Sequence, residues 1–296
     1  MELNEYHPFR SVEARERYLE RDDQRAEAWP VPVESRYVST LCGDTFVRIS
    51  GPMDAPPLVL LPSASAGSLF WLPNIEALTA EYRVYAVDNI FDFGRSVFRR
   101  EFKTPDDFML WLDQLFNALE LGDEINLMGI SYGGWLASQY ALHSPERLHR
   151  VVLIAPVATL FPLTGEWAWR GLLAMVPHPR FLGSITNWLF ADLIELDPAL
   201  VEEMVADVYL GLRCFKTKML VTPTVLTDTD LHNLTMPLLF MVGENEKLYP
   251  AADAITRLRE TAPGVEVEVI PGAGHDLTYV QTELVNAKVL EFLGRP

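Results

Sequence analysis

Short apolar runs alternate with longer amphipathic segments along most of this chain. The uninterrupted apolar run at residues 58–61 is typical of a buried parallel strand, which is covered on both faces. Residues 106–121, by contrast, repeat apolar side chains at the spacing of a helix with one buried face. Strands that alternate with helices imply right-handed crossovers. The pattern therefore predicts an α/β protein with a mostly parallel sheet and helices on both faces.

Two segments depart from this alternation. Residues 11–29 are rich in Glu, Arg and Ala and predict a mostly exposed helix that ends at Pro30. Two β-rich runs follow, and Gly43-Asp44 is the expected turn between them. From residue 157 to about residue 235 the alternation stops, and helix-like pieces with several Trp, Pro and Gly residues predict a helical insertion.

These boundaries divide the chain into three expected parts. They are an N-terminal helical extension over residues 1–32, an α/β core formed by residues 33–156 and 236–296, and a helical cap over residues 157–235.

The strongest chemical signal is Gly129-Ile130-Ser131-Tyr132-Gly133, which has the pattern G-x-S-x-G. A strand-like stretch precedes it, and apolar residues at helical spacing follow it. A serine between a strand and a helix lies on a sharp turn that lifts its hydroxyl clear of the sheet, at the edge where ligands bind. Glycines flank it because side chains there would collide with the neighbouring elements. We therefore predict that Ser131 is a nucleophile.

A serine hydroxyl needs a base within hydrogen-bond reach, and the base needs a group that orients it. In this topology the expected order along the chain is serine, acid, histidine. His275 follows the last predicted strand on a Gly-rich loop and is the predicted base. The other five histidines are weaker candidates for the base: His7, His143, His149, His178 and His232. His178 and His232 lie in the insertion and are alternatives only for contact with a substrate.

The acid is expected in residues 243–250, just after the strand that resumes the alternation, where the sequence has glutamates and no aspartate. Glu246 is the predicted acid, with Glu244 as the alternative. Glutamate suffices because its carboxylate need only accept the imidazole Nδ1–H and stabilise the imidazolium. Asp276 adjoins His275, so we expect its side chain to point elsewhere and to serve as a turn residue.

Backbone N–H groups must hold the negative charge of a tetrahedral intermediate. One expected donor is the N–H of Tyr132, which follows the nucleophile, and the other is that of Ala64, in the loop after the first buried strand. Small residues leave this loop's backbone accessible, and the hydroxyls of Ser63 and Ser65 are expected to contact the substrate. The alternative is an ordinary strand-to-helix loop that Ser68 caps.

Together these features resemble the α/β-hydrolase superfamily, and within it the bacterial carboxylesterase-like branch. The resemblance covers nearly all of the chain from about Val33. It rests on residues 57–61, 85–88 with 94–96, 129–134, 243–246 with Pro250, and 272–275. It implies an α/β-hydrolase fold with an eight-stranded, mainly parallel sheet and a helical cap. It also implies the triad Ser131, Glu246 and His275, and no cofactor.

Two positions differ from the usual pattern of that superfamily. Pro62-Ser63 stands where His-Gly is usual, and that histidine normally braces the oxyanion loop. Glu246 stands where aspartate is more common.

The predicted reaction is hydrolysis of carboxylic esters through an acyl-enzyme intermediate. The insertion contains Trp167 and four other aromatic residues: Phe161, Trp169, Phe181 and Trp188. They suggest an apolar lid over a small or medium hydrophobic acyl group. The alternative is that they only pack the cap onto the sheet. The alternatives on the same triad are hydrolysis of C–C, lactone or thioester bonds and cofactor-free haloperoxidation. A third hypothesis is a non-catalytic ligand-binding protein on the same scaffold.

Composition constrains the partners more than the reaction. A net charge of −17 and a pI near 4.7 disfavour nucleic acid and anionic membranes, so a small-molecule ester is the expected partner. No apolar run is long enough to span a membrane and no signal segment is evident, so we expect a cytoplasmic protein. Cys42 and Cys214 lie outside any metal-ligand pattern and predict reduced thiols and no metal site. Monomer and homodimer are both open.

Overall fold

A computed structural model describes residues 7–174, 176, 178–216 and 220–295 of the chain. At its centre is one sheet, in which the described residues form nine strands. The strands are β1 (Val33–Ser39), β2 (Gly43–Ser50), β3 (Pro57–Leu61), β4 (Arg83–Val87), β5 (Val97–Phe98), β6 (Ile125–Ile130), β7 (Leu148–Ile154), β8 (Leu238–Gly243) and β9 (Glu266–Ile270).

Eight of these strands form the continuous order β1-β2-β4-β3-β6-β7-β8-β9. The β1–β2 and β2–β4 pairs at one edge are antiparallel, and the other pairs along this order are parallel. The predicted mostly parallel sheet is therefore confirmed. The predicted count of eight omits β5, which pairs with β2 outside the main order. Two residues are too few to produce a recognisable period in the sequence.

The turn between β1 and β2 lies earlier than predicted. Gly43 and Asp44 belong to β2, and the chain turns at residues 40–42. Strand β5 fixes this arrangement, because Gly43 pairs with Phe98 and Asp44 pairs with Val97. Gly43 has a φ of +147°, and a Cβ there would lie 2.2 Å from the carbonyl oxygen of Val97. Glycine is therefore needed for close strand pairing as well as for its backbone freedom.

Helices cover both faces of the sheet and fill the cap. They are α1 (Val12–Ala26), α2 (Leu72–Thr79), α3 (Pro105–Ala118), α4 (Tyr132–His143), α5 (Gly165–Ala174), α6 (Pro179–Leu189), α7 (Ala191–Leu196), α8 (Pro198–Cys214), α9 (Asp228–His232), α10 (Ala251–Thr261), α11 (Leu277–Val280) and α12 (Thr282–Leu293). Short 3-10 helices occupy Ser68–Trp71 and Pro145–Arg147.

Strand β3 shows how the sheet is buried on both faces. Leu58 and Leu60 pack in the apolar core that includes residues of α2 and α12. Val59 and Leu61 pack in the opposite core, with residues of α3 and α4. Because successive side chains of a strand point to opposite faces, the uninterrupted apolar run fills both cores.

The described residues between β7 and β8 contain α5 to α9, where the sequence predicted a helical cap. The domain boundaries proposed above remain a prediction. Two buried hydrogen bonds join this region to the core. The backbone N–H of Leu193 donates to Asp276 Oδ2 at 2.8 Å, and the hydroxyl of Tyr132 donates to the carbonyl of Val221 at 3.0 Å.

Helix α1 is anchored by a buried carboxylate. Asp22 accepts a hydrogen bond from Arg48 Nη2 at 2.7 Å and pairs with Arg95 Nε. Arg48 is only 3% exposed, so its guanidinium is a buried positive charge. The carboxylate of Asp22, which α1 contributes from outside the core, balances that charge. The sequence predicted a mostly exposed helix and gave no sign of this aspartate, because most acidic residues in such segments are solvated.

Candidate active site

Ser131 occupies the turn between β6 and α4. Its φ of +53° and ψ of −115° are strained for a residue with a side chain. The N–H of Ser131 donates to the carbonyl of Ile154 at 2.9 Å, and its carbonyl accepts from the N–H groups of Trp135 and Val157 at 3.0 and 3.1 Å. Neighbours on both sides therefore hold the serine in this conformation.

Two glycines let the elements around Ser131 approach one another. A Cβ on Gly129 would lie 2.2 Å from the carbonyl oxygen of Gly133, and a Cβ on Gly133 would lie 2.2 Å from that of Leu61. No side chain fits at such distances, so β6, α4 and β3 meet only because these positions are glycine. The close packing is the physical basis of the G-x-S-x-G pattern.

His275 and Glu246 form a buried pair. Nδ1 of the imidazole lies 2.9 Å from Oε2 of the glutamate, His275 is 4% exposed, and the Glu246 side chain is fully buried. The other carboxylate oxygen, Oε1, accepts the backbone N–H groups of Lys247 and Leu248 at 2.8 and 2.9 Å. With both oxygens engaged, the carboxylate orients the ring and leaves Nε2 for another partner.

Opposing influences set the protonation of this pair. Burial acts to raise the pKa of Glu246, but the charge of His275 and the hydrogen bonds to the carboxylate outweigh it, so this pKa lies below its usual value. Burial acts to lower the pKa of His275, but the charge of Glu246, the hydrogen bond to it and the charge of Asp276 raise that pKa above its usual 6.5. The result is an ionised acid beside an imidazole of increased basicity.

The other two carboxylates near His275 have different partners. Glu244 is exposed and accepts the backbone N–H of Gly272 at 3.1 Å. Asp276 makes no hydrogen bond to the imidazole among the described residues, but it is buried and is more than a turn residue. Its Oδ2 accepts the N–H of Leu193 on α7, and its Oδ1 accepts the N–H of Gly274 at 3.1 Å. It therefore ties the cap to the loop that carries the histidine.

Ser131 and His275 line the same cavity, which has a volume of about 650 Å³. Within the described residues no hydrogen bond joins Ser131 Oγ to the imidazole. The other residues predicted to bind substrate or oxyanion also line this cavity: Ser63, Ala64, Ser65, Tyr132 and Trp167. Its walls are mainly apolar and include side chains of α5, α6 and α8.

Two residues that line this cavity have backbone N–H groups without a protein partner in the described residues. In the part of the chain that the structure describes, the N–H groups of Ala64 and Tyr132 make no hydrogen bond. Tyr132 is the first residue of α4, and the first N–H groups of a helix lack partners within the helix. The partial positive charge at a helix N-terminus suits these donors to a developing anion.

Buried aspartates from the segment after β4 hold the loop that contains Ala64. The N–H of Ser65, which has a φ of +60°, donates to Asp92 Oδ2 at 2.8 Å. The N–H and the hydroxyl of Ser68 donate to Asp88 Oδ1 at 2.7 and 2.6 Å. These contacts fix the loop's shape although Pro62-Ser63 replaces the usual His-Gly. The sequence did not indicate them, because they join segments that lie apart along the chain.

The aromatic residues expected either to form a lid or to pack the cap lie in different surroundings. Among the described residues Trp167 lines the cavity, whereas four other aromatic residues of the cap do not: Phe161, Trp169, Phe181 and Trp188. Trp169 is exposed and stacks against Arg170 instead. Neither His178 nor His232 lines the cavity among those residues. The cap walls of the cavity are mostly aliphatic. The sequence could not show this, because helical spacing alone does not separate residues that face a cavity from residues that pack in a core.

Many residues of the cavity wall were not predicted from the sequence, and three of them lie close to the catalytic loops or carry a charge: Arg25, Phe70 and Tyr279. The rings of Phe70 and Tyr279 meet edge to face at 5.2 Å, and the Tyr279 hydroxyl donates to the Phe70 carbonyl at 2.8 Å. Tyr279 lies on α11, shortly after His275 in the sequence, and this closeness along the chain was the available signal. Arg25 had no such signal.

No helix in the described ranges combines the length and apolar character needed to cross a membrane. Those ranges also contain no cluster of His, Cys, Asp and Glu arranged to hold a metal ion. Cys42 and Cys214 are both buried and free.

Known proteins resemble the chain in sequence as well as in fold. Residues 58–288 match the Alpha/beta hydrolase family. The chain belongs to this family. This α/β hydrolase is 35% identical over 290 residues to "Carboxylesterase YbfK" of Bacillus subtilis (strain 168), and the match covers 96% of each protein.

Two solved Bacillus subtilis structures resemble the α/β hydrolase over nearly its whole length. Carboxylesterase CesB (YbfK) has a TM-score of 0.87 and 34% identity, covering 95% of this chain and 99% of that one. Naproxen esterase (carboxylesterase NP) has a TM-score of 0.86 and 33% identity, covering 96% and 99%. The predicted α/β-hydrolase fold and the likeness to bacterial carboxylesterases are therefore confirmed.

Proposed function

We propose that this α/β hydrolase is a carboxylesterase that uses Ser131, His275 and Glu246 as a catalytic triad. The observation that carries the proposal is the strained Ser131 turn opening on the same cavity as an imidazole that a buried glutamate orients. The carboxylesterase names of relatives that match nearly the full chain support the choice of reaction.

In the first half of the reaction Ser131 Oγ attacks the ester carbonyl carbon while His275 Nε2 accepts the hydroxyl proton. The hydrogen bond between these groups forms when substrate is bound, since catalytic hydrogen bonds are often long or poorly aligned without it. The N–H groups of Ala64 and Tyr132 donate to the oxyanion. The C–O bond then breaks, and the imidazolium returns its proton to the leaving alcohol.

In the second half water releases the acid. His275 removes a proton from a water molecule, whose oxygen attacks the acyl carbon of the Ser131 ester. The same two N–H groups stabilise the second tetrahedral intermediate. As it collapses, the carboxylic acid departs and the proton on Nε2 returns to Ser131 Oγ. Glu246 remains ionised throughout and stabilises the imidazolium in both halves.

The cavity favours a small or medium hydrophobic acyl group. Its volume of about 650 Å³ lies in the range of sites that enclose drug-sized molecules. Aliphatic residues of α6 provide much of the apolar wall: Leu182, Ile185 and Leu189. Ser63 and Ser65 add hydroxyls on the side of the oxyanion loop, where they contact the bound ester.

A fluorophosphonate probe tests the nucleophile directly. We expect one covalent adduct on Ser131 in the wild type, and none in Ser131→Ala or His275→Ala, because labelling needs both the hydroxyl and its base. Intact-protein mass spectrometry followed by peptide mapping measures it. Circular dichroism shows whether each variant is folded.

Hydrolysis of p-nitrophenyl esters of increasing acyl length, compared with lactones and ring-cleavage diketones, tests the reaction class. The proposal expects esters to have the highest kcat/KM. A folded wild type that neither binds the probe nor hydrolyses any ester would point to a ligand-binding protein. Faster cleavage of a C–C or lactone bond would point to one of the alternative reactions.

A further inference from the structure

The proposed reaction leaves two charged residues of the cavity without a role. Arg25 on α1 and Asp207 on α8 both line it. Nε of Arg25 lies 3.2 Å from Asp207 Oδ2, and Nε of Arg21 lies 2.7 Å from Asp207 Oδ1. The aspartate is therefore shared by two arginines and links the N-terminal helix to the cap.

Arg25 uses only part of its donor capacity in this link. A guanidinium carries five N–H donors. Across the described residues the guanidinium of Arg25 pairs with one carboxylate, that of Asp207, and its terminal nitrogens donate no hydrogen bond to the protein. The side chain is 30% exposed and lines a mainly apolar cavity. Donors placed in such a cavity fix the orientation of a ligand and contribute specificity.

The surroundings of Arg25 place it near the catalytic loops. Arg25 and Tyr279 line the same cavity, which Ser131 and His275 also line. Phe70, which packs on Tyr279, follows the loop that carries Ala64. A ligand bound between those loops and the cap therefore has Arg25 within its cavity.

The local charges favour a neutral partner. Arg21 and Arg25 face Asp207, and Arg21 Nη2 also lies 3.5 Å from Glu203, so two cations meet two anions. The whole chain has a net charge of −17. Neither the local group of two arginines and two carboxylates nor the whole chain has the excess positive charge that an anionic ligand would need. What remains at Arg25 is hydrogen-bond donation.

We infer that Arg25 is a specificity-determining residue that donates a hydrogen bond to a neutral acceptor, such as an ether or ketone oxygen, on the part of the substrate that lies at the α1–α8 side of the cavity. This inference rests on the proposed carboxylesterase function and names a class within its substrates. An acceptor oxygen gains a charge-assisted hydrogen bond from Arg25, whereas a methylene group at the same position would leave the terminal donors unpaired.

The test uses pairs of esters that differ only by an ether or ketone oxygen in place of a methylene group, placed at each successive position of the chain. In the wild type we expect kcat/KM for at least one oxygen-containing ester to exceed that of its partner by about tenfold, the value of one hydrogen bond to a charged group. Arg25→Met, which keeps a long side chain without donors, should bring this ratio close to one.

Arg21→Met is the matched control. It removes the other arginine that holds Asp207, but Arg21 does not line the cavity within the described residues. The ratio should persist in Arg21→Met. An equal loss in both variants would assign the effect to the α1–α8 link and overturn the inference, as would a panel without any Arg25-dependent preference. A preference for carboxylate-tailed esters would overturn the neutral class.

The failure of this inference is distinguishable from failure of the proposed function. Fluorophosphonate labelling of Ser131 and hydrolysis of simple alkyl esters by the wild type test the triad alone. If both succeed and the oxygen-dependent ratio is absent, only the role of Arg25 is wrong.

Discussion

Protonation of His275 controls the proposed chemistry, because only the neutral imidazole accepts the serine proton. Glu246 and Asp276 raise the pKa of His275 above 6.5 against the opposing effect of burial. The neutral imidazole therefore predominates only at pH values above this raised pKa. We therefore expect wild-type kcat/KM to fall as pH decreases through a value above 6.5.

Replacing Glu246 by Gln should change both the rate and this pH dependence. We expect kcat to fall by about 10²–10⁴-fold, as with acid loss in other triads. The acid limb should move to lower pH, because burial then dominates the pKa of His275. Initial rates with a p-nitrophenyl ester, measured across the acid limb, test both expectations.

Glu244→Gln is the control for this prediction, since Glu244 lies on the same loop but holds the N–H of Gly272. The Glu244→Gln variant should keep the acid limb of the pH profile at the wild-type position and should keep most of the wild-type kcat. If Glu244→Gln moves the limb and Glu246→Gln does not, Glu246 is not the acid.

Residues that act through short sequence patterns could be predicted, and residues that act through distant contacts could not. Ser131 lies between two glycines directly after β6, and His275 follows Gly274 in the loop after β9, which are local features. Arg25 and Asp92 reach the cavity or its loop only because α1 and the segment after β4 fold against them. Nothing local to either residue distinguishes it from a solvated charge.

One buried carboxylate contributes to the attachment of helix α1. Asp22 balances Arg48 inside the core, and Asp88, the nearest other anion to Arg48, lies 3.9 Å from it. Asp22→Asn should lower the free energy of unfolding by about 3 kcal/mol, because it leaves a buried guanidinium poorly compensated. Urea unfolding followed by circular dichroism measures this change.

The neighbouring Asp23 provides a matched comparison. It also pairs with Arg95, but its side chain is 69% exposed. Asp23→Asn should therefore change the free energy of unfolding by less than about 1 kcal/mol. Equal effects of the two substitutions would mean that α1 is not held by the buried pair.

Element types were predicted more reliably than their ends. Apolar runs identified β3 and β8, since burial on both faces needs continuous apolar sequence. Residues 68–79 have the apolar spacing of a single helix, but they begin as the 3-10 helix Ser68–Trp71 and continue as α2. Asp88 holds the N–H and hydroxyl of Ser68 there, a tertiary contact that no local pattern contains.

The charge of the whole molecule should influence which esters reach the cavity. The net charge is −17, and the site contains the carboxylate of Glu246, whose pKa lies below its usual value. A negative potential raises the local concentration of cations and lowers that of anions. Dissolved salt screens this potential, with a Debye length of about 10 Å at 0.1 M ionic strength.

A choline ester and its neutral 3,3-dimethylbutyl analogue have nearly the same shape and differ by one positive charge. The ratio of their kcat/KM values, cationic over neutral, should be highest at low salt and should fall severalfold as sodium chloride rises towards about 1 M, because screening removes the attraction. The neutral ester serves as the internal control for effects of salt on folding or catalysis. A ratio that stays constant across the salt range would show that the surface charge does not act at the cavity, and that close contacts there decide the selectivity alone.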